Sequence, residues 1–499
     1  MKMNSIRTNA LLNIIYTISN IIFPMITFPY VSRILQADGM GKVSFFTAMA
    51  NYAIMIASLG VSTYGIRATA NARKNRYELS KVTTELLLIN FVATTAVIIL
   101  VVASIPLVPR FQSEKLLLLI NCSLVFCSSF SLNWFYSGLE QYSYITKRSI
   151  AFKFVSLILV FLFVHTKSDY NKYAAITAFS SIGSYFVNLW HTREFVSIKQ
   201  IKTIELKKHL KPMLMLFASI LAVNVYTNLD TVMLGFISGD REVGLYTMAA
   251  KVKWLLLSVV NAISAVLLPR LSYYLSENRI DEFHKILKKS FSIILMISIP
   301  LAVFFIFEAK DSVVILGGED YVDATLCMQI IMPILLISGF SNITGNQILI
   351  PMGKDSCFMK AVAMGAIVDL LLNIILMPKF ASVGAAIATL IAECVQMLVQ
   401  LKYSFSEVHD NFDKTSVIKI VLSTGIAVTS LIMFGSVVRF SNCSLVTEAM
   451  IRISFSAVFY FGIYWSVLIL LDERNCREIT EVVLLKIRAT SHNAKRSQK

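Results

Sequence analysis

Charge is scarce in this chain: Asp, Glu, Lys and Arg make up 15% of its 499 residues, against about 25% in soluble domains. Cysteine is sparse and unpatterned. The seven cysteines stand singly, four of them (Cys122, Cys127, Cys327 and Cys394) inside apolar runs, and the six histidines are dispersed. Without CxxC pairs or His partners at ligand spacing, the sequence offers neither a disulfide framework nor a metal site. No glycine-rich phosphate loop appears, which excludes nucleotide hydrolysis as an energy source. No extramembrane stretch is long enough for a catalytic domain, so the chain reads as a non-enzyme with no cofactor. Net charge is +16, but the basic residues sit in short clusters between apolar runs without aromatic interleaving, which argues against nucleic acid.

What is abundant is apolar sequence. Hydrophobic residues make up 56% and mean hydropathy is +0.68, values suited to a polytopic membrane protein. A helix needs about 20 apolar residues to cross the hydrocarbon core. By that rule the sequence predicts about 14 transmembrane helices, an all-α integral membrane fold. The stretch MKMNSIRTNALLNIIYTISNIIFPMITF is too long for a signal peptide and reads as the first span. Placing the N-terminus inside puts roughly 33 of the 46 Lys and Arg residues on the cytoplasmic side, as the positive-inside rule requires. Both termini are therefore expected in the cytoplasm.

An internal repeat is visible. Gly41 after the first span matches Gly244 after the seventh at an offset of 203, WFYSGLEQ (134–141) overlays QILIPMGK (347–354) at 213, and AAIT (174–177) overlays AAIA (385–388) at 211. Duplicated halves with a substrate site between them are a common transporter plan. The expected organisation is an N-terminal six-helix half (1–198), a cytoplasmic linker (199–211), a C-terminal six-helix half (212–405), helices 13 and 14 (406–472) and a basic tail (473–499). Lys199, Lys202, Lys207, Lys208 and Lys211 of the linker suit anionic headgroups, or serve as topogenic charge on a solvated segment.

Ionisable residues at membrane depth are the candidate functional groups. Asp230 shares one face of helix seven with Asn224, Tyr226, Thr227, Asn228 and Thr231, which predicts a wet cavity wall; the alternative is a buried hydrogen bond that locks two helices together. Glu393 heads a stripe with Ala386, Thr389, Gln396 and Gln400. Asp369 lies one turn from Asn373. Either carboxylate could instead pair with a neighbouring amide. Among cations, Lys251 shares a face with small and polar residues and is assigned to the cavity, while Lys253 snorkels. Lys153 follows Lys147 and Arg148 by a turn or so and reads as cavity or snorkelling residue alike. Arg33, after Pro24 and Pro29, sits near the outer mouth. Cations suit a diphosphate; buried carboxylates suit proton or sodium coupling.

At these residues the chain resembles a known family. PYVSRILQADGMGKVSFF (29–46), NWFYSGLEQYSYIT (133–146), NLDTVMLGFISGDREVGLYTMAAKVK (228–253), GNQILIPMGKDS (345–356) and NIILMPKFASVGAAIATLIAE (373–393) are similar in order and spacing to the Wzx-type O-antigen and capsule repeat-unit flippases, over residues 5–470. The resemblance implies a MATE-like fold in a bacterial inner membrane and a substrate of undecaprenyl-diphosphate-linked oligosaccharide. It also implies alternating access, with Arg33, Asp230, Lys251 and Glu393 in matched segments; the roles of Lys153 and Asp369 rest on the residues alone. Membrane lipids are expected contacts, and a polysaccharide polymerase and a chain-length regulator are candidate partners. The competing readings are another MATE-like exporter (a lipid II flippase or drug/cation antiporter) or a membrane polysaccharide polymerase or ligase.

Overall fold

Hydrocarbon leaves a spanning backbone few solutions besides helix, because every peptide group must be bonded within its own segment. The computed structural model follows that rule: it describes residues 6–197, 203–224, 228–437, 444–481 and 485, and no strand occurs among them. The chain divides into two compact units, Met1–Thr247 and Met248–Lys499. The first holds α1 (Ile6–Ser58), α2 (Val61–Ala72), α3 (Arg76–Ser104), α4 (Pro109–Ser113), α5 (Lys115–Ser128), α6 (Asn133–Gly138), α7 (Tyr142–Phe163), α8 (Tyr170–Thr192), α9 (Lys207–Asn224), α10 (Leu229–Ile237) and the start of α11 (Asp240–Ser276). The second continues α11 and adds α12 (Ile280–Phe307), α13 (Ala309–Gly317), α14 (Ala324–Ile331), α15 (Ile334–Asn342), a π-helical turn (Ile343–Leu349), α16 (Asp355–Tyr403), α17 (Phe405–Asn411), α18 (Lys414–Val437) and α19 (Leu445–Leu470).

Nine helices among the described residues are long and apolar enough to cross a membrane. Two of them are each a pair of helices joined at a sharp non-helical residue, Gln36 (φ 59°) in α1 and Ala381 (φ 47°) in α16. Each unit packs an apolar interior, the first around Leu86, Ile89, Trp134, Phe135 and Tyr136. The second has two such clusters, one with Phe304, Tyr460 and Tyr464 and one with Phe283, Leu287 and Phe291. Large apolar side chains such as Ile14, Val92, Leu100, Met433 and Val458 remain exposed. In water such faces would drive association; here they are the surface acyl chains cover.

The repeat seen in the sequence is present in the backbone. Glu140 and Gly353, 213 residues apart, both adopt positive φ, 58° and 71°. The hydrogen bonds around them correspond one for one. Leu139 N–H donates to Phe135 O (3.0 Å), Glu140 to Ser137 (3.0 Å) and Gln141 to Tyr136 (2.9 Å); Met352 donates to Ile348 (3.1 Å), Gly353 to Ile350 (3.0 Å) and Lys354 to Leu349 (2.8 Å). Both are helix ends closed by a left-handed residue, which satisfies the last carbonyls. At the other offset, Gln36 and Gly239 share positive φ, 59° and 94°.

Gly41 and Gly244 meet within the first unit. A Cβ on Gly41 would collide with the carbonyl oxygen of Asp240, and one on Gly244 with that of Ala37. Since 203 residues separate both Gly41 from Gly244 and Ala37 from Asp240, the two collisions are images of each other. Glycine is required here by backbone approach rather than by conformation.

Candidate functional site: a polar cavity in the first unit

Helix four of the sequence is broken. Its first part, α5, stops at Ser128, and α6 starts at Asn133 after Leu132 takes up a left-handed conformation (φ 49°). A break inside a membrane helix strands carbonyls, and such groups must find partners. Ser129 O accepts from Asn90 Nδ2 of α3 (3.3 Å), and Ser131 O accepts from Asn188 Nδ2 of α8. Two side-chain amides thus replace the missing helical bonds.

Beside the break lies a cavity of about 470 Å³, bordered by Asn51, Tyr52, Ile54, Met55, Ser58, Val61, Ser62, Asn90, Ser128, Ser131, Asn133, Trp134, Tyr185 and Asn228. Its size is within the range of about 300–1,000 Å³ usual for small-molecule sites. The lining is amide, hydroxyl and aromatic; no Asp, Glu, Lys or Arg is among these described residues. Amides and hydroxyls donate and accept without a desolvated charge, and Trp134, Tyr52 and Tyr185 offer flat apolar faces with polar edges. Trp134 is held by Gly65, where a Cβ would lie 2.5 Å from the indole Cε3.

Behind Asn133 stands Arg148 of α7, 7% exposed. Its Nη2 donates to Asn133 Oδ1 (3.0 Å) and Ser149 Oγ (3.2 Å), and its Nη1 to Asn188 Oδ1. No ion pair to Arg148 occurs among the described residues, and its buried Nε has no partner there.

The residues singled out in the sequence lie elsewhere. Asp230, in the first turn of α10, is 4% exposed and accepts from the Tyr246 hydroxyl. The bond ties α10 to α11. Asn228, two residues earlier, does border the cavity; the side chains of Asn224, Tyr226 and Thr227 lie outside the described residues. Lys153 is half-buried between α7 and α1, donating to Ser19 Oγ (3.2 Å) and Asn20 Oδ1, with its ammonium 5.5 Å from the centre of the Tyr16 ring. Arg33 is exposed on α1.

Three more belong to the second unit. Lys251 is exposed and Lys253 half-buried on α11. Glu393 of α16 accepts from Ser338 Oγ (3.0 Å), while Asp369 and Asn373 are fully buried one turn apart. The expected stripe below Glu393 packs inward, with Gln400 Oε1 accepting from Thr344 (2.8 Å). None of the six candidates borders the cavity of the first unit. The signal that would have found that cavity is neutral: Asn51, Asn90 and the trio Ser128, Ser131 and Asn133 interrupt three successive apolar runs.

The linker is anchored to the first unit. Glu85 of α3 is completely buried and accepts from Glu205 N–H (2.7 Å), His209 Nε2 (2.8 Å) and Lys208 Nζ (3.1 Å). His209 Nδ1 meets the Tyr64 hydroxyl at 2.8 Å, and Lys81 Nζ reaches Glu205 (3.0 Å) and Thr203 (3.3 Å). The Lys81 ammonium holds the Glu205 carboxyl below the usual carboxylate range. Lys208 therefore sits on carboxylates, while Lys199 and Lys202 lie outside the described residues.

Comparison with known proteins agrees with this architecture. The chain is 24% identical over 406 residues to an Escherichia coli (strain K12) protein named "Putative O-antigen transporter", covering 80% of this chain and 96% of that one. It is 23% identical to a protein of the same name from Shigella dysenteriae, covering 79% and 99%. Among solved structures it superposes on the lipid II flippase MurJ in an inward closed conformation with a TM-score of 0.72 at 16% identity, covering 93% of this chain and 99% of that one. An inward-facing multidrug-resistance MATE transporter gives 0.64 at 13% identity, covering 80% and 94%. The fold is thus MATE-like and the protein a multi-pass membrane protein. A MatE profile matches residues 216–375, and the profile of polysaccharide biosynthesis proteins matches residues 6–275. With more than half of its length inside that second match, the chain belongs to the polysaccharide biosynthesis protein family.

Proposed function

We propose that this protein is a flippase that carries undecaprenyl-diphosphate-linked oligosaccharide repeat units across a bacterial inner membrane for O-antigen, capsule or exopolysaccharide assembly. The observation that carries the reading is the uncharged cavity at the break in helix four. Its amides, hydroxyls and aromatic faces match the chemistry of sugar rings, whereas a cationic drug would call for a carboxylate in the lining. Family membership and the names of the relatives support the same substrate class.

In this reading the two six-helix halves (1–198 and 212–405), the linker (199–211), helices 13 and 14 (406–472) and the tail (473–499) make fourteen crossings with both termini cytoplasmic. Alternating access moves the glycan while the lipid tail stays in the bilayer. Arg33, Lys153 and Lys251 are assigned to the diphosphate, and Asp230, Glu393 and Asp369 to coupling with a proton or sodium gradient or to cavity structure. A polymerase and a chain-length regulator are the partners that would receive the product.

The test is complementation in a strain that depends on this protein, with surface glycan scored per unit of membrane-inserted protein. Ser62→Trp, which fills the cavity, abolishes export; Lys251→Ala and Asp230→Asn impair it. Asn keeps an acceptor for the Tyr246 hydroxyl, so that contact survives in Asp230→Asn. Full export by Ser62→Trp refutes the cavity as the glycan site, and full export by the other two removes their assignment.

A further inference from the structure

We propose that two amides of opposite polarity set which sugars the cavity accepts: Asn133 presents a fixed donor, Asn90 a fixed acceptor, and Arg148 is the positioning residue that locks Asn133. The inference rests on the reading that this cavity takes a glycan.

An amide side chain is ordinarily free to turn end for end, which exchanges its donor and acceptor. Asn133 is not free to do so. Its Oδ1 is held by Arg148 Nη2 (3.0 Å) and faces Asn188 Nδ2 (3.4 Å). A guanidinium has only donors, so the reversed amide would set N–H against N–H. The NH2 of Asn133 bonds to no described residue and is the end left for the cavity, which Asn133 borders.

Asn90 is locked the opposite way. Its Nδ2 donates to Ser129 O (3.3 Å), one of the carbonyls stranded by the helix break. Reversal would set its oxygen against a carbonyl oxygen. Oδ1 of Asn90, which bonds to no described residue, is therefore the end left over. Neither assignment depends on telling oxygen from nitrogen in the amide, because the partners on the far side are a pure donor and a pure acceptor.

Arg148 makes its bonds to neutral acceptors, and the residue is buried. A buried cation without a carboxylate is a poor stabiliser. It is, however, an efficient orienter: one planar fork fixes Asn133 through Nη2 and Asn188 through Nη1, and Asn188 then closes on Ser131 O. A lysine supplies the charge but not the fork.

Sugar hydroxyls adapt to either polarity, but a hydroxyl oxygen is a weaker acceptor than an amide carbonyl, so the device discriminates by acceptor strength. The ligand class it selects is a sugar with an acetamido carbonyl placed on Asn133, with a neighbouring hydroxyl donating to Asn90. In a sugar lacking that carbonyl a hydroxyl takes its place as the weaker acceptor for the Asn133 N–H, a difference worth up to about tenfold in affinity.

The experiment uses the full chain in lipid nanodiscs, with Trp134 fluorescence as the reporter and Trp134→Phe to identify the signal. The probes are triacetylchitotriose and cellotriose, which differ in acetamido groups. The wild type binds triacetylchitotriose about tenfold more tightly. In Asn133→Asp the carboxylate stays paired with Arg148 and turns an oxygen to the cavity, so the preference disappears while cellotriose binding persists. Asn133→Ser, smaller and without the lock, loses it too, as does Arg148→Lys. A preference that survives in Asn133→Asp and Asn133→Ser, or a wild type that binds both sugars equally, overturns the polarity assignment alone. A wild type that binds neither sugar overturns the glycan reading on which it rests.

Discussion

The anchoring of the linker by one buried carboxylate gives a prediction whose size follows from its geometry. Glu85→Ala removes the acceptor for Glu205 N–H, His209 Nε2 and Lys208 Nζ at once. Lys208, 39% exposed, can turn to water and contributes little. Glu205 lies exposed, so its N–H can also turn to water, whereas the imidazole of His209, 3% exposed, cannot do so without opening the segment. A buried donor left without its acceptor costs about 1–3 kcal/mol, so local opening becomes cheaper by about that amount. At about 1.4 kcal/mol per factor of ten, the opening constant rises roughly 5-fold to 150-fold. Hydrogen exchange read by mass spectrometry on nanodisc-embedded protein measures this directly in peptides covering 203–211. Trypsin cleavage at Lys207 and Lys208 should accelerate in parallel. Glu85→Gln, which keeps one carbonyl oxygen for Glu205 N–H, should fall between the two. Unchanged exchange in Glu85→Ala would show that packing, and not this carboxylate, holds the segment.

Other consequences are as specific. Gly65→Ala drives a methyl group into the Trp134 ring and, at the cost of about 1–3 kcal/mol expected for overpacking, should shift Trp134 emission and lower glycan export at normal membrane levels. Gly41→Ala and Gly244→Ala should each lower the thermal midpoint in detergent, and the double variant should lose less than the sum, because both relax one shared backbone contact. The Glu205 carboxyl is depressed by Lys81, so its tie to the first unit is complete above the ordinary carboxylate value of about 4.3 and fades as pH falls through the lower folded value. Exchange in 203–211, corrected for intrinsic rate, should therefore be flat from pH 8 to 5. At the other end of α7, Lys172 and the N–H groups of His165 and Thr166 hold Asp169 far below the usual range. Asp169→Asn should loosen that turn at neutral pH, seen as faster exchange in 165–170.

How far the sequence reached can be traced residue by residue. Apolar length gave the helical membrane class because that signal is summed over about 20 residues and tolerates local error. The duplicated turn at Glu140 and Gly353 was legible as an overlay of strings, although Glu140 itself carries no residue preference for a left-handed conformation. The motif NWFYSG carries part of the family resemblance, yet its physical meaning, the restart of a broken helix, does not show in the string. Leu132 is apolar and unremarkable in sequence, and only three-dimensional pairing of Ser129 and Ser131 with Asn90 and Asn188 reveals the break. Charge drew attention to Asp230, whose partner Tyr246 lies sixteen residues away on the next helix. Neutral asparagines drew none, since a single Asn inside an apolar run is ordinary; their convergence depends on contacts between residues 39 to 57 positions apart.

The paired glycines at 41 and 244 bind two distant stretches of chain to one requirement. Residue i leans on j while the equivalent of i leans on the equivalent of j, the self-complementary pattern of an isologous interface. A methyl group at either position therefore pushes apart the same two backbones, and neither glycine can be replaced without disturbing the seat of the other.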